Sequence, residues 1–482
     1  MKKHFPLYPG FILGDGVDDF AVTEKELNFE DTYTVYTAFI PFQNNPTRNM
    51  ILCGADSKKT FSMQYSSLVY VSFIAGNNYY INANFVNGLN LFACKRNGNN
   101  ICIKNLLTNK VVTGTCGDWV ENAGLYYLWK NATYASFAKA AIAGQTICNG
   151  YFSTDEDDEK VLNWYKKQYP WLFPDQAWTV TGKTNEDEDR ATIANITGNG
   201  NNLVLSNFGF AEGSGYGLYA YNFNSFNLRD NVVKPTDVKK DSFRMIGTGN
   251  SSNVLILLNE SDSADWKIRI TGMKEGDRCL IGNANKSGEY ISVNKDGTYT
   301  FQKQYAATST NGIWYNSSQE VDVLVEQIPE YEGYLITDGV DDEIISAKLI
   351  QFADKFTIVG DWKFMEDRND KAGLLKANQI YIYNATTGMR IYLKQGSRHY
   401  SFSCKKINAL TSDGWVYDEK WDKYKVYPIG SDIDISSRLF LGFYSSNFTK
   451  IALKNLGIYN DQLLSKDDCI KAYNYLQTLK AK

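Results

Sequence analysis

The sequence predicts a mostly β protein built of sandwich modules, in which one module occurs twice around a different β-rich segment. Three observations carry this: an internal repeat, β-branched and aromatic runs that end in polar turns, and a composition suited to antiparallel strands. Of the 482 residues 14% are aromatic, with 33 Tyr and 26 Phe against only 9 Pro, and such side chains fit a pleated, half-buried surface. A chain of this length exceeds one hydrophobic core and is expected to form about two to four domains.

The repeat is the firmest of the three. Tyr8, Gly10 and Asp15-Gly16-Val17-Asp18-Asp19 recur as Tyr331, Gly333 and Asp338-Gly339-Val340-Asp341-Asp342. The register continues without a gap from Lys25, Phe29, Asp31 and Thr34 to Lys348, Phe352, Asp354 and Thr357. A second ungapped match closes both copies, pairing Phe137, Lys139, Ala141, Ile147, Asn149, Asp157, Lys160 and Asn163 with Phe448, Lys450, Ala452, Ile458, Asn460, Asp468, Lys471 and Asn474. The expected organisation is therefore 1–174 for the first module, 175–328 for a middle region of one or two small β-sandwiches, and 329–482 for the second module.

Each copy carries the same local signals. Thr32–Ile40 and Lys355–Phe364 are β-branched and aromatic runs that read as core strands. Thr154 with Asp157, and Ser465 with Asp468, are capping pairs ahead of an apolar face formed by Val161, Leu162 and Tyr165, or by Ile470, Tyr473 and Leu476. One closing helix per copy follows, over Thr154–Tyr165 and Ser465–Leu476, and Pro170 ends the first because proline cannot continue it. In the middle region Tyr290–Val293 and Thr298–Phe301 read as a hairpin around Asn294-Lys295-Asp296-Gly297. Val321–Glu326 alternates as a half-buried strand.

Composition also excludes functions. A net charge of −4 gives no basic footprint for nucleic acid. No apolar run approaches the roughly eighteen residues of a membrane span, so a soluble chain without a transmembrane segment is expected. The start has Lys2 and Lys3, but Pro6, Pro9 and Gly10 replace the apolar core of a signal peptide, and Sec-type export is not expected. The eight cysteines are scattered without a C-x-x-C. Only Cys94 and Cys102 are close enough to suggest a hairpin pair, and the expectation is of reduced, buried thiols.

The opening aromatic-x-x-Asp-Gly-Val-Asp-Asp, the interior strand some residues later, and the closing Gly457-Ile458-Tyr459-Asn460 with Ser465-x-x-Asp468 resemble laminin-G-like modules of the concanavalin-A-like lectin/glucanase superfamily. The resemblance implies two jelly-roll sandwiches that bind glycans or proteins, in some members with calcium, while a few branches are glycosidases. The middle segment Gly182–Arg190, Asn195–Gly200 and Leu203–Phe208, with the junction Glu326–Tyr331, is similar to structural and fibre-like proteins of crAss-like tailed phages. That similarity implies a virion component without naming which one.

Candidate sites follow from residue chemistry. Asp15 and Asp18, and their counterparts Asp338 and Asp341, could offer oxygens to calcium, which takes six to eight of them; Asp-Gly is equally a turn signal in which the carboxylate bonds its own backbone. No cofactor other than this calcium is expected. The acidic runs Asp155–Glu159 and Glu186–Asp189 read as a helix start, where negative charge complements the dipole, and as a solvated loop. No strand carries the Glu-x-Asp-x-x-Glu pattern that would aim two carboxyls at one bond, and His4 and His399 alone make neither a triad nor a three-histidine metal site. No catalytic residues are therefore expected. Trp119, Trp129, Trp415 and Trp421, with Tyr126 and Tyr417, lie in turn-rich stretches and are the candidate sugar platforms, although aromatics this abundant also fill cores.

These readings converge on a non-catalytic virion surface protein, such as a head fibre, decoration or tail-associated adhesin, with other virion proteins and host-surface polysaccharide as partners. The alternative is a bacterial cell-surface glycan-binding protein. Shallow glycan sites bind weakly and gain strength from multiple copies, and the sequence has no heptad run for a stalk. A homo-oligomer assembled through sandwich faces or edge strands is expected.

Overall fold

The computed structural model describes residues 11–15, 20–41, 49–53, 62–67, 70–74, 80–84, 88–118, 123–128, 139–210, 213–217, 227–228, 233–239, 241–247, 256–257, 266–283, 290–301, 311–329, 331–365, 372–377, 380–385, 388–393, 398–402, 406–425, 436–444 and 447–481. They form antiparallel sheets, with two α-helices. In the first copy one six-stranded sheet runs Ile12–Asp15, Lys139–Asn149, Thr32–Pro41, Asn90–Asn97, Asn100–Asn105, Lys110–Thr115. A second sheet, with Ala21–Val22 at one edge and Tyr80–Asn84 at the other, faces it. Thr32–Pro41 is buried on both sides. Tyr33, Val35 and Phe39 enter the core between the sheets, while Tyr36, Ala38 and Ile40 pack on the opposite face, as the period of two along a strand requires.

The second copy repeats this geometry in its hydrogen-bond register. Ile12 and Leu13 pair with Ile142 and Ala141, and Leu335 and Ile336 pair with Leu453 and Ala452. Thr34 lies opposite Cys148 and Thr357 opposite Tyr459, with a bulge at the same place in both strands. The identical residues do identical work. Thr34 Oγ1 donates to Tyr151 O and accepts from Ser153 N, and Thr357 Oγ1 does the same with Gln462 and Leu464. Asn149 and Asn460 each bridge the loop ahead of the interior strand, through Asn28 O and Glu30 N, and through Gln351 O and Ala353 N.

Both closing helices form. The first, α1, spans Asp155–Gln168 and starts in a capping box between Thr154 and Asp157. Tyr151 and Thr154 donate to the Asp157 carboxyl and hold its pKa down to about 2. The second, α2, spans Lys466–Thr478, with Ser465 accepting from Asp468 N. After α1, Pro170–Leu172 make one 3-10 turn.

The stretch assigned in sequence to a separate middle region is shared between two bodies. Gln176–Thr179 pairs with Asn455–Ile458, Leu203–Ser206 with Glu343–Ser346, and Gly215–Tyr216 with Leu335–Ile336. Residues 176–216 therefore extend both sheets of the second sandwich, and its hydrogen bonding begins well before position 329. Local signal could not show this, because these strands are two to four residues long and their partners are distant in sequence. Beyond them a five-stranded sheet containing Val321–Ile328 faces a three-stranded one, around a single core of Val233, Phe243, Ile268, Ile281, Tyr315 and Val323 among others.

The expected hairpin at Asn294–Gly297 is a corner instead. Tyr290–Val293 pairs with Cys279–Gly282, whereas Gly297–Phe301 pairs with Trp266–Ile270 in the other sheet. The Asp296 carboxylate accepts from Gly272 N and Met273 N at 2.9 and 2.8 Å, which ties the turn to the strand that ends at Thr271. The Cys94/Cys102 pair also separates. Cys94 lies opposite Ile103 and Cys102 opposite Lys95, so the two thiols point to opposite faces, and both are free.

The two sandwiches are joined by one apolar core. The outer face of the first sandwich (Tyr36, Ala38, Leu91, Ala93, Ala141) meets Tyr165 of α1, the turn residues Trp171, Leu172 and Phe173, then Ala472, Tyr475 and Leu476 of α2, and finally Val359, Ala409, Tyr417 and Tyr459 on the outer face of the second. Tyr475 reaches across the junction, its hydroxyl oxygen accepting from Leu89 N at 3.0 Å. The backbone carbonyl of Trp171 accepts from Tyr459 Oη at 2.9 Å.

Candidate functional site

Acidic groups converge at the start of the second sandwich. The chain leaves Leu335–Ile336 into a turn in which Asp338 Oδ1 accepts from Val340 N at 2.7 Å and Asp341 N at 3.3 Å. Gly339 has φ +79, and a Cβ there would lie 2.9 Å from Lys450 N, so only glycine fits this turn. The Asp338 carboxylate thus bonds its own backbone in this turn. The turn also gathers carboxylates, since one oxygen from each of Asp338, Asp341 and Asp342 lies within 4.8 Å of the others.

Asp342, which closes the Asp-Gly-Val-Asp-Asp cluster, is its buried member. It is 1% exposed; Oδ2 accepts from Asp338 N at 2.6 Å, while Oδ1 is buried without a hydrogen-bond partner. Burial pushes its carboxyl up to about 7, opposed by the Asp338 amide and reinforced by the neighbouring Asp338 carboxylate. The Asp341 carbonyl accepts from Asn207 Nδ2 at 2.9 Å, which ties the turn to the segment that completes this sandwich. Of the first-copy counterparts, Asp15 ends a strand opposite Lys139, and Asp18 lies outside the described residues.

The other acidic clusters are engaged in the fold. Asp158 of the Asp155–Glu159 run is buried, 2.7 Å from Lys95 Nζ and 3.1 Å from Lys104 Nζ, and Asp155 pairs with Lys104 at 2.6 Å. In the Glu186–Asp189 loop Asp187 accepts from Thr184 N and Oγ1, and Asp189 pairs with Lys183. The second sandwich buries Asp361 against Lys406, Tyr334 and Gln477. Those donors, with Lys406 first, outweigh the effect of burial and keep its carboxyl below the usual range.

The aromatic candidates fall in different settings. Trp119 and Trp129 lie outside the described residues. Trp415 is partly buried against the shared core, with Lys423 Nζ 3.4 Å and Lys425 Nζ 4.2 Å from its ring centre. Trp421 has φ +63, uncommon for a bulky residue, and is seated on Tyr473 and Tyr417. Asp418 holds that turn by accepting from Lys420 N and Asp422 N. Tyr126 and Tyr417 are both 3% exposed, and so are core side chains. His399 lies in the strand Arg398–Phe402. Among the described residues no helix is long and apolar enough to cross a membrane.

No protein-family model and no curated protein matches this chain. Among solved structures it is similar to the binding domain of botulinum neurotoxin DC in complex with rat synaptotagmin II, at 11% identity over 62% of this chain and 83% of that one, with a TM-score of 0.25. It is also similar to the LG1-3 region of the laminin alpha2 chain, at 10% identity over 92% and 96% of the two chains, with a TM-score of 0.21. Similarities this distant carry no information on what the chain binds.

Proposed function

We propose that the chain is a non-catalytic structural or adhesive component of a tailed-phage particle, a head fibre, decoration or tail-associated adhesin that holds virion partners or a host-surface glycan. The observation that supports it is the union of two sandwiches through one apolar core, with the buried acids Asp158 and Asp361 engaged in ion pairs. Mass spectrometry of purified particles is expected to find the protein in multiple copies, and the purified chain to release no reducing sugar from polysaccharides. Absence from particles would favour a bacterial surface lectin, and sugar release abolished by an Asp155 or Glu159 substitution would make the protein an enzyme.

We also propose that the Asp338–Asp342 turn takes calcium. Three carboxylates gathered in one turn, with Oδ1 of Asp342 buried and outside hydrogen-bond geometry, support this, since a hard cation takes such oxygens. Calcium is expected to raise the melting temperature of the wild type through linkage of binding to folding, and to leave Asp341→Ala unchanged. Equal melting temperatures for the wild type in calcium and in chelator would leave a plain turn.

A further inference from the structure

The two copies differ in what covers one side of the sandwich. In the second copy three strands of residues 176–216 close that side: Gly215–Tyr216 on Leu335–Ile336, Gln176–Thr179 on Asn455–Ile458, and Leu203–Ser206 on Glu343–Ser346. Carried through the repeat, the same edges in the first copy are Ile12–Leu13, Gly144–Ile147 and Phe20–Thr23. Among the described strands none adds there: Ile12–Asp15 and Ala21–Val22 end their sheets, and Lys139–Asn149 pairs beside Gly144–Ile147 only with the interior strand.

Side-chain exposure follows the same division. Leu335 and Ile336 are 0% exposed, whereas their counterparts Ile12 and Leu13 are 59% and 51% exposed. Phe20 and Val22, on the edge of the facing sheet, are 48% and 44% exposed. These exposed positions are thus apolar on both sheets, and the strand Ile12–Asp15 carries no lysine or proline to protect its edge, its one charge being Asp15 at the end.

We propose that this open side of the first sandwich is a dimer interface, occupied by the same side of a second copy. The covered copy shows the kind of element that fits, an antiparallel strand. Two identical strands that pair antiparallel are related by a twofold axis, so Ile12–Asp15 can meet its own counterpart, with each copy covering the other's apolar edge. A twofold contact closes the open side of both copies at once.

Sedimentation velocity of the full chain over a range of concentrations tests this, with Leu13→Lys as the variant. Leu13 is half exposed, so the substitution is expected to leave circular dichroism and melting temperature of the monomer unchanged while weakening dimerisation at least about a hundredfold, because a lysine is buried without a partner in the interface. Hydrogen exchange over residues 11–15 is expected to be slow in the wild-type dimer and fast in the variant. A wild-type monomer at every concentration would overturn the proposal, as would a dimer that Leu13→Lys and Ile12→Lys both leave intact with unchanged exchange at this strand.

Discussion

Replacing Asp158 with alanine is expected to lower folding stability by about 3–5 kcal/mol, since breaking a buried ion pair strands its partner without solvent. Asp158 Oδ2 lies 2.7 Å from Lys95 Nζ, and the two side chains are 2% and 5% exposed. Its Oδ1 accepts from Tyr36 Oη at 2.9 Å and Ser153 Oγ at 3.1 Å. Without the carboxylate, Lys104 keeps Asp155 and Lys95 keeps Ser153 O at 3.0 Å, but the buried Lys95 loses the carboxylate it pairs with. The repeat supplies the control. Lys95 corresponds to Thr411, through pairing opposite Thr34 and Thr357, and Asp158 corresponds to Cys469, an uncharged side chain buried in the shared core. The double variant Lys95→Thr/Asp158→Cys copies the second module's arrangement and is expected to recover much of the loss. Urea unfolding of the full chain measures both, and a loss below about 1 kcal/mol for Asp158→Ala would show that the pair contributes no more than a surface salt bridge.

Trp171→Ala is expected to have a comparable effect, about 3–5 kcal/mol for emptying an indole site in a core, and to change the form of the transition. Trp171 is 2% exposed and packs edge-on to Tyr475 of α2 with ring centres 6.0 Å apart. It stands where the first sandwich, the linking turn and the second sandwich meet. Calorimetry of the wild type should therefore show the two sandwiches melting together, and the variant should separate them into two steps. A variant that melts in one step at the wild-type temperature would refute a shared core.

Much of the fold was legible because the repeated residues bond the backbone. Thr34 and Thr357, Asn149 and Asn460, and Asp157 and Asp468 hold turns and caps that tolerate few other side chains, so their identity survives while the packed residues around them drift, as from Asp158 to Cys469. What stayed hidden depends on distant partners. The Asn-Lys-Asp-Gly turn names a reversal but not which sheet receives it, and that was decided by Asp296 reaching the amides of Gly272 and Met273. The strands within 176–216 are too short to carry a period. In the acidic turn three aspartates are alike in sequence, and only the packing shows that Asp342 is the buried one. Tyr126 and Tyr417, placed by their neighbours in turns, are packed in the cores.

The way the chain departs from and returns to the second sandwich has an evolutionary consequence. Gly215–Tyr216 and Leu335–Ile336 are paired neighbours, and Gly217 N donates to Tyr334 O at 2.7 Å, so the polypeptide between them begins and ends one strand spacing apart, about 4.8 Å. The sandwich itself closes that gap, and lengthening what is threaded through it costs the host only about 0.6 kcal/mol of closure entropy per doubling. Residues 218–333 thus occupy a cassette position, where one small domain can be exchanged for another of different shape, or removed for a two-residue turn, while the host sheet keeps its register.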